Sequence, residues 1–206
     1  MRSAKIALVM KNRIGYLLMF IVGLSMLSFV SSTGRRKVVI KKSVPIDTTG
    51  NPYLIIIYKN TYELQVFDSA GWLGTYPVVF GSKDLADKKM KGDRLTPDGN
   101  FKVILKKINP KWGPELLLDY PNAPSYQKFK ERKQEGLIPK TAQIGDGIAI
   151  HATRPSEEWT VDSYYNWTDG CISLKYTEMK DLYSYIPVGT PVMIVGDNST
   201  SPSPAP

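Results

Sequence analysis

Hydrophobic positions between residues 53 and 105 come in short runs with a period of two. Tyr53–Tyr58 is an unbroken apolar run, Lys59-Asn60-Thr61 makes a short polar turn, and Tyr62–Phe67 alternates. In that last segment Tyr62, Leu64 and Val66 stand against Glu63 and Gln65. Such alternation puts apolar side chains on one face, as a half-buried strand requires. Thr75–Phe80 and Phe101–Leu105 read as further strands, so the pattern predicts a hairpin-rich antiparallel sheet. Asp84–Asp93 is a charged loop, and Leu95–Gly99 is a turn with Pro97 and Gly99 in suitable places.

Residues 106–147 break this pattern. Pro110, Trp112, Gly113 and Pro114 mark irregular chain. Ser125 is placed to cap a helix over Gln127–Gln134, ended by Gly136. The segment therefore reads as a helical and loop excursion from a β domain. Ile148–His151 resumes as a strand, Thr177 is placed to cap a second helix over Glu178–Tyr185, Pro187 stops it, and Val192–Val195 is a last strand. The expected fold is mainly β and sandwich-like, with two short helices.

The ends differ from this body. Residues 14–30 carry no charge and follow Lys11 and Arg13. A charged start before an apolar run is the pattern of a secretory signal, and seventeen residues is also within the ~17–25 that span a bilayer. Residues 1–32 are thus expected to be a signal peptide or an N-terminal membrane anchor. Residues 33–49 read as a linker, 50–196 as one domain, and the Ser- and Pro-rich 197–206 as a disordered tail. The expected location is extracytoplasmic, in the cell envelope, with membrane association possible through the N-terminal segment.

Charge supports that division. The formal net charge is +8, yet residues 1–42 hold nine basic residues and no acidic one. The remainder has 18 Lys+Arg against 19 Asp+Glu. A near-neutral body does not call for nucleic acid as a partner. One Cys and one His exclude a disulfide framework and any zinc site built from those residues alone.

That single pair stands in one segment, with His151 ending a strand and Cys171 following Gly170. A thiol attacks as thiolate, and a neighbouring imidazole can take its proton. A glycine before the nucleophile lets backbone N–H groups turn toward a developing oxyanion. The same residues also fit a blander reading, a small buried Cys and a half-buried strand-end His. An unpaired thiol outside the cytoplasm favours use in chemistry.

The pattern His151 … Thr168-Asp169-Gly170-Cys171-Ile172 resembles the signature of the bacterial L,D-transpeptidase catalytic domain. The stretch from Lys91 through Gly92, Asp93, Thr96, Pro97 and Gly99 to Phe101 is similar to a second family segment, and Pro187–Ile194 to a third. The resemblance covers about residues 52–195. It implies Cys171 as nucleophile, His151 as general base and an oxyanion hole at Gly170–Cys171. It implies peptidoglycan stem peptides as substrate, attack at the third residue with loss of D-Ala, and transfer to an amine acceptor or to water. It implies no metal and no organic cofactor.

Two positions depart from the family pattern. Asp169 stands where many members have a second His, and Ser173 where many have Arg or Asn. Asp169 is expected to support the loop by accepting backbone N–H bonds, the other option being a carboxylate facing the thiol. With Ser173 in the substrate-binding position, Arg154 is the candidate replacement for recognising a substrate carboxylate. Trp167, Tyr164 and Tyr165 are candidates to line a peptide groove, and the Lys128–Lys133 helix a candidate lid. A wall-binding module that has lost activity, and an L,D-carboxypeptidase, are the competing functions. Papain-like peptidases place Cys before His, and sortases carry an Arg after the Cys, which this chain lacks.

Overall fold

The computed structural model describes residues 51–196. The expected signal or anchor, the linker and the tail lie outside them. No helix among the described residues is long and apolar enough to cross a membrane.

Strand β1 (Leu54–Tyr58) forms from the first apolar run, with Ile55 and Ile57 fully buried between half-buried neighbours. Strand β2 (Glu63–Asp68) starts one residue later than the alternation predicts, because Tyr62 takes a turn conformation with φ of +57°. Strand β3 (Gly71–Pro77) follows. Strand β4 (Gly99–Asn109) is far longer than Phe101–Leu105, and β5 (Gly113–Leu118) pairs with it where irregular chain was expected. Helix α1 spans Ala123–Gln134, β6 Ala149–Ala152, α2 Trp159–Asp162, β7 Ile172–Leu174, α3 Tyr176–Tyr185 and β8 Pro191–Val195. Helix α2 and the 3-10 turn before it, Pro155–Glu157, were not expected.

These strands form one mainly β sheet in the order β3-β2-β1-β8-β4-β5-β6-β7. The sheet is mixed where an antiparallel one was expected: β1 pairs with β8 and β6 with β7 in parallel. Beyond β3, Val79 exchanges two backbone hydrogen bonds of 2.9 Å with Ser173 of β7. This bridge joins the two ends of the strand order, so the sheet is nearly a barrel.

The core lies on one face. Leu116 and Leu118 of β5, Ile150 of β6 and Ile172 and Leu174 of β7 are at most 1% exposed and pack with Met179 and Leu182 of α3. Each such side chain contributes ~1.5–3 kcal/mol on burial. The period of two then dictates that Glu115, His151, Cys171 and Ser173 share the opposite face.

The helices differ in detail from the sequence reading. Asn122, not Ser125, caps α1, its side chain accepting from Ser125 N–H at 3.2 Å. Helix α1 buries no residue. Lys128 and Arg132 instead reach Asp87 at 2.9 and 2.7 Å, and Arg132 also donates to the Lys88 carbonyl at 2.6 Å. Helix α1, a candidate lid from sequence, is tied to the charged loop by these contacts. Thr177 does not cap α3, since its N–H and hydroxyl both donate to Glu158 Oε1.

Candidate active site

Strand β6 carries His151 and β7 begins just after Cys171. His151 pairs in register with Ser173, and Ile150 with Ile172, so Cys171 lies two positions back from the residue opposite His151. Diagonal neighbours of this kind on one sheet face are ~7–8 Å apart, within reach of a ring side chain. The two residues predicted as a pair are therefore brought to the same patch of sheet.

His151 is buried, with only 5% of its surface exposed. Its Nδ1 lies 2.9 Å from the Ala152 carbonyl oxygen. A carbonyl only accepts, so Nδ1 carries the proton and Nε2 is left as the basic nitrogen. Burial pulls the His151 pKa down, against the Ala152 hydrogen bond and the charge of Glu115, which raise it. Neutral imidazole is the resting form.

Cys171 is half-buried, and its Sγ is 3.5 Å from the Gly147 carbonyl oxygen. Burial pushes the thiol up to about 11, a backbone hydrogen bond from Ala149 opposes this, and the carboxylates of Glu115 and Asp169 add to it. The resting cysteine is thus a thiol and not a preformed thiolate.

The loop before Cys171 is held from several sides. Trp167 N–H and Thr168 N–H both donate to the Phe80 carbonyl, and Asn166 Oδ1 accepts from Phe80 N–H at 2.8 Å. Thr168 Oγ1 donates to the Cys171 carbonyl at 2.8 Å and accepts from Gly170 N–H at 3.2 Å. From the Lys91–Phe101 segment, Thr96 Oγ1 donates to the Gly170 carbonyl at 3.0 Å and Arg94 Nε to the Thr168 carbonyl at 3.3 Å. That segment is itself organised by Asp93, which accepts from Lys88 Nζ and from the N–H groups of Lys89, Met90 and Leu95. Burial would raise the Asp93 carboxyl, but these hydrogen bonds hold it below the usual range.

Gly170 is required here. Its φ is +119°, and a Cβ on it would stand 2.6 Å from the Leu95 carbonyl oxygen. Its N–H, expected in the oxyanion hole, is taken by Thr168.

Asp169 does not support the loop as expected. Its side chain is 97% exposed and only approaches Arg94 Nε, at 4.0 Å. The hydroxyl of Thr168 does the work assigned to that carboxylate, because it sits inside the turn and Asp169 points out of it. Ser173, expected at the substrate, is fully buried beside His151. Arg154 is half-exposed, paired with Glu157 at 2.8 Å and set over the Trp112 ring at 5.2 Å.

Trp167 lies against His151, ring centroids 5.5 Å apart. Trp112, given no role from sequence, completes this cluster at 4.8 Å from Trp167 and 5.9 Å from His151. It stands at the tip of the β4–β5 hairpin, where Lys111 N–H donates to Asn109 Oδ1. Lys111 Nζ also lies over its ring, at 4.3 Å. The missed hairpin explains the missed tryptophan. Tyr164 packs edge-on against Tyr62, and Tyr165 lies tilted against Trp159.

The family model for the L,D-transpeptidase catalytic domain, YkuD, matches residues 52–194. The chain belongs to the L,D-transpeptidase catalytic-domain family. A relative, "Putative L,D-transpeptidase YqjB" of Bacillus subtilis (strain 168), is 31% identical over 153 residues, 72% of this chain and 74% of the relative. Among solved structures, the helical cell shape determining protein Pgp2 of Campylobacter jejuni is similar with a TM-score of 0.53 and 22% identity. That match covers 72% of this chain and 49% of Pgp2. Bd1075 of Bdellovibrio bacteriovorus gives 0.51 and 23%, over 73% and 50% of the two chains. The chain spans about half the length of these two structures, and the likeness concerns the fold. An L,D-transpeptidase domain of this family accounts for the order of strand, turn, His, Cys, helix and strand.

Proposed function

We propose that this domain is a cysteine acyltransferase acting on peptidoglycan stem peptides in the cell envelope, with Cys171 as nucleophile and His151 as general base. The supporting observation is that the only Cys and the only His of the chain share one sheet face, with His151 Nδ1 committed to Ala152. Both groups rest neutral, so the thiol proton passes to Nε2 as sulfur attacks the carbonyl carbon of the third stem residue. The Cys171 N–H is the backbone donor assigned to the tetrahedral oxyanion, since Gly170 N–H is occupied. The imidazolium then returns its proton to the departing nitrogen of D-Ala, leaving a thioester on Sγ. An acceptor amine attacks the thioester, gives a proton to Nε2 and forms the cross-link, while Sγ regains a proton. Water in place of the amine gives carboxypeptidase activity. Trp112 and Trp167 line the approach to His151, and Arg154 beside them is the cation offered to a substrate carboxylate.

The test is intact-mass spectrometry of the domain mixed with a stem tetrapeptide. The parent should gain the mass of the acyl group without D-Ala, and Cys171→Ala should gain nothing while melting within a few degrees of the parent. An adduct retained by Cys171→Ala refutes the assignment.

A further inference from the structure

One row of paired positions crosses strands β4 to β7 on the face that holds the site. Lys107 pairs with Glu115, Glu115 with His151 and His151 with Ser173. Directly paired positions share a face, with Cβ atoms ~4.5–5.5 Å apart. The Glu115 side chain is only 9% exposed. Lys107 Nζ is 3.2 Å from its Oε1, and Asn109 Nδ2 donates to its Oε2 at 2.9 Å. The β4–β5 hairpin thus holds a buried carboxylate from behind, and the next group in the row is the imidazole. No step of the acyl transfer above uses it.

We infer that Glu115 is a positioning residue of this site: its carboxylate, fixed by Lys107 and Asn109, stabilises the His151 imidazolium that forms as the thiol loses its proton. The inference rests on the Cys171–His151 reading. A fixed negative charge in a poorly hydrated site favours a neighbouring cation and disfavours a neighbouring anion. Glu115 therefore favours imidazolium over imidazole and thiol over thiolate, and its charge acts upward on both pKa values. The consequence is that sulfur attacks with its proton in transfer, not as a standing thiolate exposed to other electrophiles. The carboxylate takes the place an orienting acid holds in a nucleophile–His–acid site, but through charge and not through a hydrogen bond to Nδ1, which Ala152 occupies.

Other charges reach the site from each neighbouring element. Asp169 adds an exposed carboxylate from the nucleophile loop, with Arg94 beside it. Lys88, paired with Asp93, acts on the thiol in the opposite sense to Glu115. Lys111 and Arg154 flank Trp112, which touches His151. Among the carboxylates acting on the thiol, Glu115 is the one whose side chain is buried.

The experiment uses the full chain and Glu115→Gln, which removes charge and keeps shape. Two quantities are read: the pH of half-maximal alkylation of Cys171 by iodoacetamide, and the rate of D-Ala release from a stem tetrapeptide. The alkylation midpoint should fall by ~0.5–1 pH unit while D-Ala release slows roughly tenfold. A purely structural loss would slow D-Ala release and leave the midpoint in place. An unmoved or raised midpoint overturns the inference. Lys107→Gln gives a second reading if Glu115→Gln does not fold. It leaves the carboxylate less compensated, so its midpoint should rise, and a midpoint equal to or below the parent's overturns the inference equally. A parent that neither alkylates at Cys171 nor releases D-Ala removes the acyl-transfer reading and this inference with it. An active parent with unmoved midpoints removes this inference alone.

Discussion

Replacing Gly170 by Ala adds one methyl group beside Cys171, and two separate costs follow from the geometry. The first is conformational, since an L side chain at φ of +119° meets its own backbone. Left-handed conformations cost ~1–2 kcal/mol for a residue with a Cβ. The second is contact, because the new Cβ would stand 2.6 Å from the Leu95 carbonyl oxygen. Leu95 cannot retreat freely, as its N–H is held by Asp93 and the hydroxyl of Thr96 beside it holds Gly170. Overpacking of this kind costs ~1–3 kcal/mol. The sum is ~2–5 kcal/mol, or a fall in Tm of ~4–20 °C at ~2–4 °C per kcal/mol. Two other glycines separate the terms. Gly92 has φ of +84° and open space around its missing Cβ, so Gly92→Ala reports the conformational cost alone. Gly74 has open space and an ordinary φ, so Gly74→Ala should change Tm little. Differential scanning calorimetry of the three variants is the assay, with Gly170→Ala lowest, Gly92→Ala between and Gly74→Ala near the parent. A Gly170→Ala midpoint equal to that of Gly92→Ala would refute the clash with Leu95, and with it the close packing of the Lys91–Phe101 segment on the turn at Gly170.

Two further outcomes follow from buried charges. Burial raises the Glu178 carboxyl from 4.5 to about 7, with Glu158 and Asp162 adding to it against Lys175. A raised acid ionises first in the unfolded chain, so the fold loses stability as pH rises from about 4.5 to 7. Glu178→Gln should therefore raise Tm at pH 8 and leave it unchanged at pH 4, and equal effects at both pH values would contradict this. Lys59 is 1% exposed, donates to the carbonyls of Ala86 and Thr96 and lies 2.6 Å from Asp98 Oδ1. Lys59→Met should cost ~3–5 kcal/mol in urea unfolding by stranding the Asp98 carboxylate. Adding Asp98→Asn should recover part of it; full additivity of the two losses would show that they are not coupled.

The parts legible in the sequence were those with a period or a unique residue. An apolar run located β1 and alternation located β2, each within one residue, and the single Cys and His marked the patch where β6 and β7 meet. Strand β5 was hidden because Trp112, Gly113 and Pro114 look like loop and because Glu115 and Leu117 occupy the face away from the core. A glutamate in a leucine-rich run carries no signal until the register sets it against His151. Parallel pairing of β6 with β7 depends on the path of the chain between them, which no local pattern encodes. Asp169 was misread because sequence shows which residues are in a turn, not which way each side chain leaves it.

The bridge between Val79 and Ser173 bears on solubility as well as on shape. An open sheet in this order would end on β7, whose Ile172, Ser173 and Leu174 are short, largely apolar and fully buried. Unpaired N–H and C=O groups along such a strand are a template for another chain's strand. Here the chain just past β3 occupies that edge, and Thr153 N–H donates to the Leu174 carbonyl on the other side. Strand β7, which leads out of the Gly170–Cys171 turn, is thus paired on both sides within its own chain, and the domain can keep a thiol at the start of that strand without making the strand a site of self-association.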